Sequence, residues 1–257
     1  MTVTWKRKAG IGLHGPHLLS SRYEVLENLE MSSVMEKAFG FLRLIRPVNC
    51  IMMGFAVIVG AFIVTAGAFS SSFDVLFRLA LGFLTSFTLA GASMAINDYW
   101  DRDIDKINEP RRPIPSGVVS PNGSLVLAAI LTLIGLTAAV RTNLSCLVVA
   151  TLSWVVSVAY TTRGKRTGLP GNLLVSLCIA IPFIYGSVAL NNKVELNVLI
   201  FVSMVFLANT GREITKGIAD VQGDKTKNSR TMAVRYGERT AAVAAALFYL
   251  SAISLSP

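Results

Sequence analysis

Seven long apolar runs constrain the fold of this 257-residue chain more than any other feature. They cover approximately residues 48–68, 76–97, 123–140, 144–161, 171–190, 195–217 and 239–257. A helix needs about 20 apolar residues to cross a bilayer, so these runs predict membrane-spanning helices. The chain is 53% hydrophobic and only 15% charged, with a mean hydropathy of +0.57. Because soluble domains carry about 25% charged residues, we predict an all-α, multi-pass transmembrane bundle of about seven spans.

The segment before the first run differs in composition from the rest of the chain. Residues 1–35 lack the apolar core and the small-residue cleavage site of a signal peptide. We expect them to form a disordered N-terminal extension, followed by one transmembrane domain over residues 36–257. The first part of that domain, residues 36–46, combines apolar and basic residues in the pattern of an amphipathic helix at the membrane interface.

Basic residues are distributed unevenly between the loops that connect the runs. The loops after the second, fourth and sixth runs contain most of them, whereas the other three contribute only Arg78, Arg141 and Lys193. Cytoplasmic loops are enriched in lysine and arginine, so we predict a cell-membrane protein whose N-terminus and basic loops are cytoplasmic. Seven spans would leave the C-terminus outside. The net charge of +9 is then attributable to loops beside anionic lipid, and no nucleic-acid partner is implied.

A dense polar block, NDYWDRDIDKINEPRRPIPSG, follows the second run at residues 97–117. It contains four aspartates within eight residues, namely Asp98, Asp101, Asp103 and Asp105. Carboxylates this close raise one another's pKa unless a cation lies among them. A bound divalent ion would satisfy them, and oxygen ligands favour Mg²⁺ or Ca²⁺ over Zn²⁺. A solvated charged loop between two spans is the simpler alternative.

The spacing of the acidic residues in this block bears on which kind of metal site they could form. If the second run continues as a helix, Asp98, Asp101 and Asp105 lie at i, i+3 and i+7 and share one face, and Asn97 is four residues before Asp101. A calcium loop of the EF-hand type is excluded, because its sixth position would be lysine instead of glycine and its twelfth arginine instead of glutamate.

A second acidic cluster follows the sixth run, in REITKGIADVQGDKTKNSRTMAVRYG at residues 212–237. Asp220 and Asp224 are four residues apart with Lys225 next, as Asp101 and Asp105 are with Lys106. Both clusters follow even-numbered runs, so we expect them on the same side of the membrane, facing one cavity. Two acidic helix ends with flanking cations suit a diphosphate held by Mg²⁺.

Three further residues are candidates for the same site. Lys165 lies in the basic loop after the fourth run, where it is either a topology determinant or a phosphate ligand. Arg46 and Asn49 open the first run, which places both at the membrane face where the cavity is expected. The sequence contains no phosphate-binding loop and no GxGxxG that opens a helix, so nucleotide chemistry is unsupported.

These motifs resemble those of the UbiA-type intramembrane prenyltransferases. NDYWDRDID matches the family's NDxxDxxxD motif, and DVQGD matches its second DxxxD motif. The residues around both motifs are most similar to those of archaeal digeranylgeranylglyceryl phosphate synthases. The resemblance covers about residues 40–240. It implies an all-helical bundle around a central cavity, with Mg²⁺ as the cofactor.

The resemblance also implies substrates and residue roles. An isoprenyl diphosphate, geranylgeranyl diphosphate, would be the donor, and the hydroxyl of a lipid phosphate, geranylgeranylglyceryl phosphate, would be the acceptor. Ether formation between them would be a step of archaeal membrane lipid synthesis. The metal ligands, which are also the catalytic residues except for the asparagine, would be Asn97, Asp98, Asp101, Asp105, Asp220 and Asp224. The diphosphate would contact Lys106, Arg112, Lys165 and Lys225, joined by the cavity candidates Arg46 and Asn49.

Two other functions and one departure from the family pattern stay open. The acceptor could be an aromatic quinone precursor or a tetrapyrrole, or the chain could be a cation transporter. A transporter would carry its acids in the middle of the spans, whereas these lie at span ends, which favours an enzyme. The family has nine spans and this chain about seven, so we expect C-terminal truncation. The sequence does not determine the oligomeric state.

Overall fold

Helices make up most of the computed structural model, which describes residues 34–65, 72–226 and 229–256, without the side chains of residues 225 and 226. Residues 1–33, which carry nearly all of the predicted extension, lie outside this range. The helices are α1 (34–45), α2 (Pro47–Val64), α3 (Phe73–Asn108), α4 (Pro121–Thr142), α5 (Leu144–Thr162), α6 (Leu169–Asn191), α7 (Leu196–Ala219), α8 (Val221–Thr226), α9 (Met232–Tyr236) and α10 (Glu238–Ser254). A single 3₁₀ turn, Gly164–Arg166, follows α5.

Six of these helices, α2 to α7, are long and apolar enough to cross a membrane, and they correspond to the first six predicted spans. The seventh predicted span corresponds to α10, which has 17 residues. At about 1.5 Å per residue α10 is roughly 26 Å long, slightly less than the thickness of a typical hydrocarbon core. The predicted interfacial helix is present as α1, which exposes Met35, Phe39 and Leu42 along one side and buries Leu44.

Helix α3 is much longer than a membrane span. Its 36 residues correspond to about 54 Å, against roughly 30 Å for the hydrocarbon core. The helix begins at Phe73, capped by the Ser72 hydroxyl, and continues through the whole acidic block to Asn108. The prediction that the second run continues as a helix into this block is therefore confirmed. Its last turns carry the acidic residues beyond the apolar part of the helix.

Glycines allow α2 and α6 to cross with their backbones in contact. A Cβ atom on Gly60 would collide with the carbonyl oxygen of Phe183, and one on Gly186 would collide with that of Val57. Small residues at such crossings are typical of membrane bundles, where close backbone packing replaces the hydrophobic effect as the source of association. This crossing fixes α6 against α2, and α6 in turn packs against α7.

The three basic loops lie at the same end of the bundle. Lys165, in the loop after α5, forms an ion pair with Asp101 near the end of α3. The backbone N–H of Arg230, after α8, donates to the carbonyl of Arg166 at 3.4 Å. Gly168 has a φ of +77°, and a Cβ there would collide with the Arg230 carbonyl. The structure thus confirms that these loops share one side.

Candidate active site

The acids of α3 divide into buried and exposed groups, as the helical spacing predicts. Asp98 and Asp105 are only 3% and 5% exposed, and the side chain of Asp101 is 16% exposed. Asp103 lies on the other side of the helix with its side chain 72% exposed. Three carboxylates separated by three and four residues therefore lie on one protected face. The desolvation of these carboxylates must be offset by nearby cations or hydrogen bonds.

Arg46 supplies the cation for Asp98. Its Nη2 donates to Asp98 Oδ1 at 2.7 Å, and its Nη1 lies 3.6 Å from the sulfur of Met94. Arg46 precedes Pro47 at the start of α2 and has a φ of +50°, which is unusual for a residue with a Cβ. The ion pair with a buried carboxylate helps to stabilise this strained backbone.

Lys165 supplies the cation for Asp101. Its Nζ donates a hydrogen bond to Asp101 Oδ1 and lies 3.4 Å from Asn97 Oδ1. Both side chains of the ion pair are less than one-fifth exposed. Lys165 lies in the 3₁₀ turn after α5, which directs its side chain toward α3. It is therefore more than a basic loop residue that sets the orientation of the chain in the membrane.

Arg112 lies between the two buried acids of α3, Asp98 and Asp105. Its Nη1 donates to Asp105 Oδ2 at 2.7 Å and lies 3.7 Å from Asp98 Oδ1. The chain turns back after α3, where the backbone N–H of Ser116 donates to the Arg112 carbonyl at 3.0 Å. Burial alone would lower the pKa of Arg112, but the hydrogen bond to Asp105 and the surrounding carboxylates raise it, and the net direction is upward. The guanidinium is therefore permanently charged.

Other predicted site residues lie elsewhere. Lys106 pairs with Asp103 at 3.1 Å, and its side chain is 62% exposed, so it is on the outer side of α3. Asp220 ends α7 and is exposed, and the N–H of Asp224 donates to its carbonyl at 2.8 Å in the turn that opens α8. The side chain of Lys225 lies outside the described residues.

Mg²⁺ requires several oxygen ligands, which carboxylate and amide side chains supply. Among the residues that the structure describes, no three acidic, histidine or cysteine side chains converge as a ready-made metal site. The three aspartates on the protected face of α3 instead pair with Arg46, Lys165 and Arg112 through one oxygen each. A carboxylate has a second oxygen and about four acceptor sites in total, so the donor set still fits Mg²⁺. Cation pairing and metal binding can therefore involve the same carboxylates.

A cavity of about 460 Å³ adjoins this acidic face. Arg46, Asn49 and Asn97 contribute to its wall, and apolar residues of α3, α5 and α6 such as Leu89 and Ile179 line much of the rest. The cavity thus joins a charged end to an apolar interior, as a lipid-like substrate with a charged head requires.

Sequence reasoning missed three cavity residues on α7, namely Arg212, Glu213 and Lys216. They are consecutive or one turn apart on a helix that is apolar enough to span a membrane. Charged residues in such a segment are costly and usually functional, so their presence near the end of the sixth run was the signal that could have found them.

Known proteins share both this sequence and this fold. The sequence profile of the UbiA prenyltransferase family matches residues 53–257. The digeranylgeranylglyceryl phosphate synthase of Natronomonas pharaonis is 37% identical over 87% of this chain and 78% of its own length. The synthase of the same name from Archaeoglobus fulgidus is 34% identical over 90% of this chain and 78% of its own length.

Solved structures extend the comparison. A structure of a digeranylgeranylglyceryl phosphate synthase is 30% identical, covers 86% of this chain and 77% of its own, and superposes with a TM-score of 0.76. A UbiA homologue from Archaeoglobus fulgidus, solved with GPP and Mg²⁺, is 21% identical over 84% of this chain and 76% of its own, with a TM-score of 0.70, and shares the fold. With six candidate spans among the described residues and a family match over most of its length, this chain is a multi-pass membrane protein that belongs to the UbiA prenyltransferase family.

Proposed function

We propose that this protein transfers a geranylgeranyl group from geranylgeranyl diphosphate to the free hydroxyl of geranylgeranylglyceryl phosphate, with Mg²⁺ as cofactor. The observation that carries the proposal is the group of three cations, Arg46, Arg112 and Lys165, held by three carboxylates beside a largely apolar cavity. The synthases that resemble the chain at 34–38% identity carry the name of this reaction.

Charge balance supports the need for a metal ion. The charges of the three carboxylates on the protected face and of their three cations cancel, so this group alone carries no surplus positive charge for a diphosphate. A diphosphate brings several negative charges, and ions of this kind are stabilised in proteins by Mg²⁺ shared between carboxylates and phosphate oxygens. Asp98, Asp101 and Asp105, with Asn97, would hold one side of the metal site, and Asp220 and Asp224 the other. Bound Mg²⁺ would neutralise charge on the departing diphosphate.

The protein's own residues then perform defined tasks. Arg46, Arg112 and Lys165 would donate hydrogen bonds to diphosphate oxygens, which stabilises the charge that develops as the allylic C–O bond breaks. Leu89 and the other apolar residues of the cavity exclude water that would capture the allylic cation. The acceptor hydroxyl attacks the cation, an ether C–O bond forms, and the hydroxyl proton passes to the released diphosphate or to an aspartate of the acidic motifs. Lys106 and Lys225 stay sequence predictions as further diphosphate ligands.

Two observations favour this reaction over a transporter. The buried acids lie in the last third of α3, beyond its apolar part, and not in the middle of a span. The wall of the cavity is also more apolar than polar, which suits a prenyl chain better than a hydrated ion. The basic loops that share this end would face the cytoplasm according to the positive-inside rule.

The acceptor is tested directly with purified protein in lipid vesicles. Labelled geranylgeranyl diphosphate is supplied with either geranylgeranylglyceryl phosphate or an aromatic quinone precursor, with and without Mg²⁺. We expect a Mg²⁺-dependent ether product only from the first acceptor. Product from the aromatic acceptor alone would refute the lipid reaction, and equal turnover in excess chelator would refute the metal requirement.

A further inference from the structure

The charged group on α7, formed by Arg212, Glu213 and Lys216, is not explained by the binding of the donor diphosphate. Arg212 Nη1 lies 3.1 Å from Glu213 Oε1, and Lys216 Nζ lies 2.9 Å from Glu213 Oε2. The glutamate side chain is only 12% exposed, whereas those of the arginine and lysine are 63% and 59% exposed. A protected carboxylate therefore holds two accessible cations at the wall of the cavity.

This group is separate from the cations that pair with the aspartates of α3. Arg46, Arg112 and Lys165 pair with carboxylates of α3, and the α7 cations pair with a carboxylate of their own helix. The two helices form different walls of the cavity, since α7 packs mainly against α6 and α10, and α3 against α2 and α4. The cavity is thus lined by cations of both groups, Arg46 beside α3 and Arg212 with Lys216 on α7. A transfer between two substrates that each carry phosphate requires two such groups.

We propose that Arg212 and Lys216 bind the phosphate of the acceptor lipid, with Glu213 as the positioning residue that holds both cations toward the cavity. The inference rests on the proposed function, because it assumes an acceptor that carries a phosphate. Both cations have donors beyond those that Glu213 accepts, since an ammonium has three and a guanidinium five. A phosphate can therefore bind without breaking the ion pairs completely.

The position of the group also suits the reaction. Lys216 is one helical turn before Asp220, and the Asp220 N–H donates to the Lys216 carbonyl at 3.0 Å. An acceptor phosphate at Lys216 would lie beside the second acidic motif, and its glycerol hydroxyl could extend into the cavity toward the donor. An acceptor without phosphate would leave these cations unused, so the site would select phosphorylated acceptors.

The test compares Arg212→Gln, Lys216→Gln and Lys216→Arg with two matched controls. Arg78→Gln and Lys193→Gln remove equivalent cations that pair with Asp74 at 2.9 Å and Glu195 at 3.1 Å, outside the cavity. For each protein the KM of donor and acceptor is measured separately, using geranylgeranylglyceryl phosphate and its dephosphorylated alcohol. Thermal unfolding of each variant shows whether the fold is preserved.

We expect Arg212→Gln and Lys216→Gln to raise the KM for the phosphorylated acceptor about 10- to 100-fold, the factor for one charged hydrogen bond. The donor KM should change less than about twofold, the alcohol should show no such penalty, and Lys216→Arg should recover most of the loss. An increase in donor KM alone, or an equal penalty with the alcohol, would overturn the inference. Wild-type protein that ignores the phosphorylated acceptor would overturn the proposed function as well.

Discussion

The ion pair between Arg46 and Asp98 offers the sharpest test of how this site is held together. Removal of Arg46 would leave a carboxylate that is 3% exposed with weaker partners, Arg112 at 3.7 Å and Asn97 at 3.5 Å. Breaking a fully buried ion pair costs about 3–5 kcal/mol. The Arg46 side chain is 34% exposed and Arg112 remains nearby, so we expect a smaller loss of about 2 kcal/mol.

The experiment is a double-mutant cycle with Arg46→Ala, Asp98→Asn and the double variant, each purified in the same detergent. A loss of about 2 kcal/mol corresponds to a decrease in Tm of roughly 4–8 °C for a domain of this size. In the Asp98→Asn background, Arg46→Ala should lower the stability much less than it does in the wild type, because a neutral amide no longer needs the cation. Arg46→Gly should be milder than Arg46→Ala, since glycine tolerates a φ of +50°. If Arg46→Ala lowers the free energy of unfolding equally in the wild-type and Asp98→Asn backgrounds, the ion pair contributes nothing to stability.

Two more predictions concern the exposed side of α3 and the crossing of α2 with α6. Asp101→Asn should lower kcat at least about 100-fold, whereas Asp103→Asn should stay near the wild-type rate. Of these two aspartates, Asp101 contacts Lys165 on the protected face and Asp103 does not. Similar kcat values for the two variants would refute this division. Gly60→Ala should lower Tm by several degrees, since its Cβ would collide with the Phe183 backbone. Gly217→Ala is the matched control and should be neutral or slightly stabilising, because the nearest atom to its Cβ would lie at 3.4 Å. An unchanged Tm for Gly60→Ala would contradict the close crossing.

Helical periodicity predicted the parts of this structure that depend on local sequence. The run of apolar residues indicated α3, and the spacing of its aspartates placed Asp98, Asp101 and Asp105 on one face. Loop composition likewise predicted that the basic loops meet on one side. These features follow from the rise and rotation per residue, which the sequence alone determines.

Contacts between distant segments were beyond such reasoning. Arg46 was a cavity candidate, but its pairing with Asp98 depends on how α2 packs against α3 and on a left-handed backbone conformation. Lys106 looked equivalent to Arg112 in sequence, yet it points to the other side because α3 continues through it and the chain reverses only afterwards. The α7 group was overlooked because its charges were grouped with the loop that follows and not with the helix.

Helix α3 is long and uninterrupted, so it fixes the distance along its axis between the apolar cavity and the acidic residues. The same uninterrupted helix lines the apolar cavity at Leu89 and holds the acids from Asp98 onward, so the distance between the two environments cannot stretch. A substitution between them leaves that register intact. A single inserted residue would instead rotate every later carboxylate by about 100° and move it about 1.5 Å along the axis. The number of residues between Leu89 and Asp98 therefore sets where the carboxylates lie relative to the cavity.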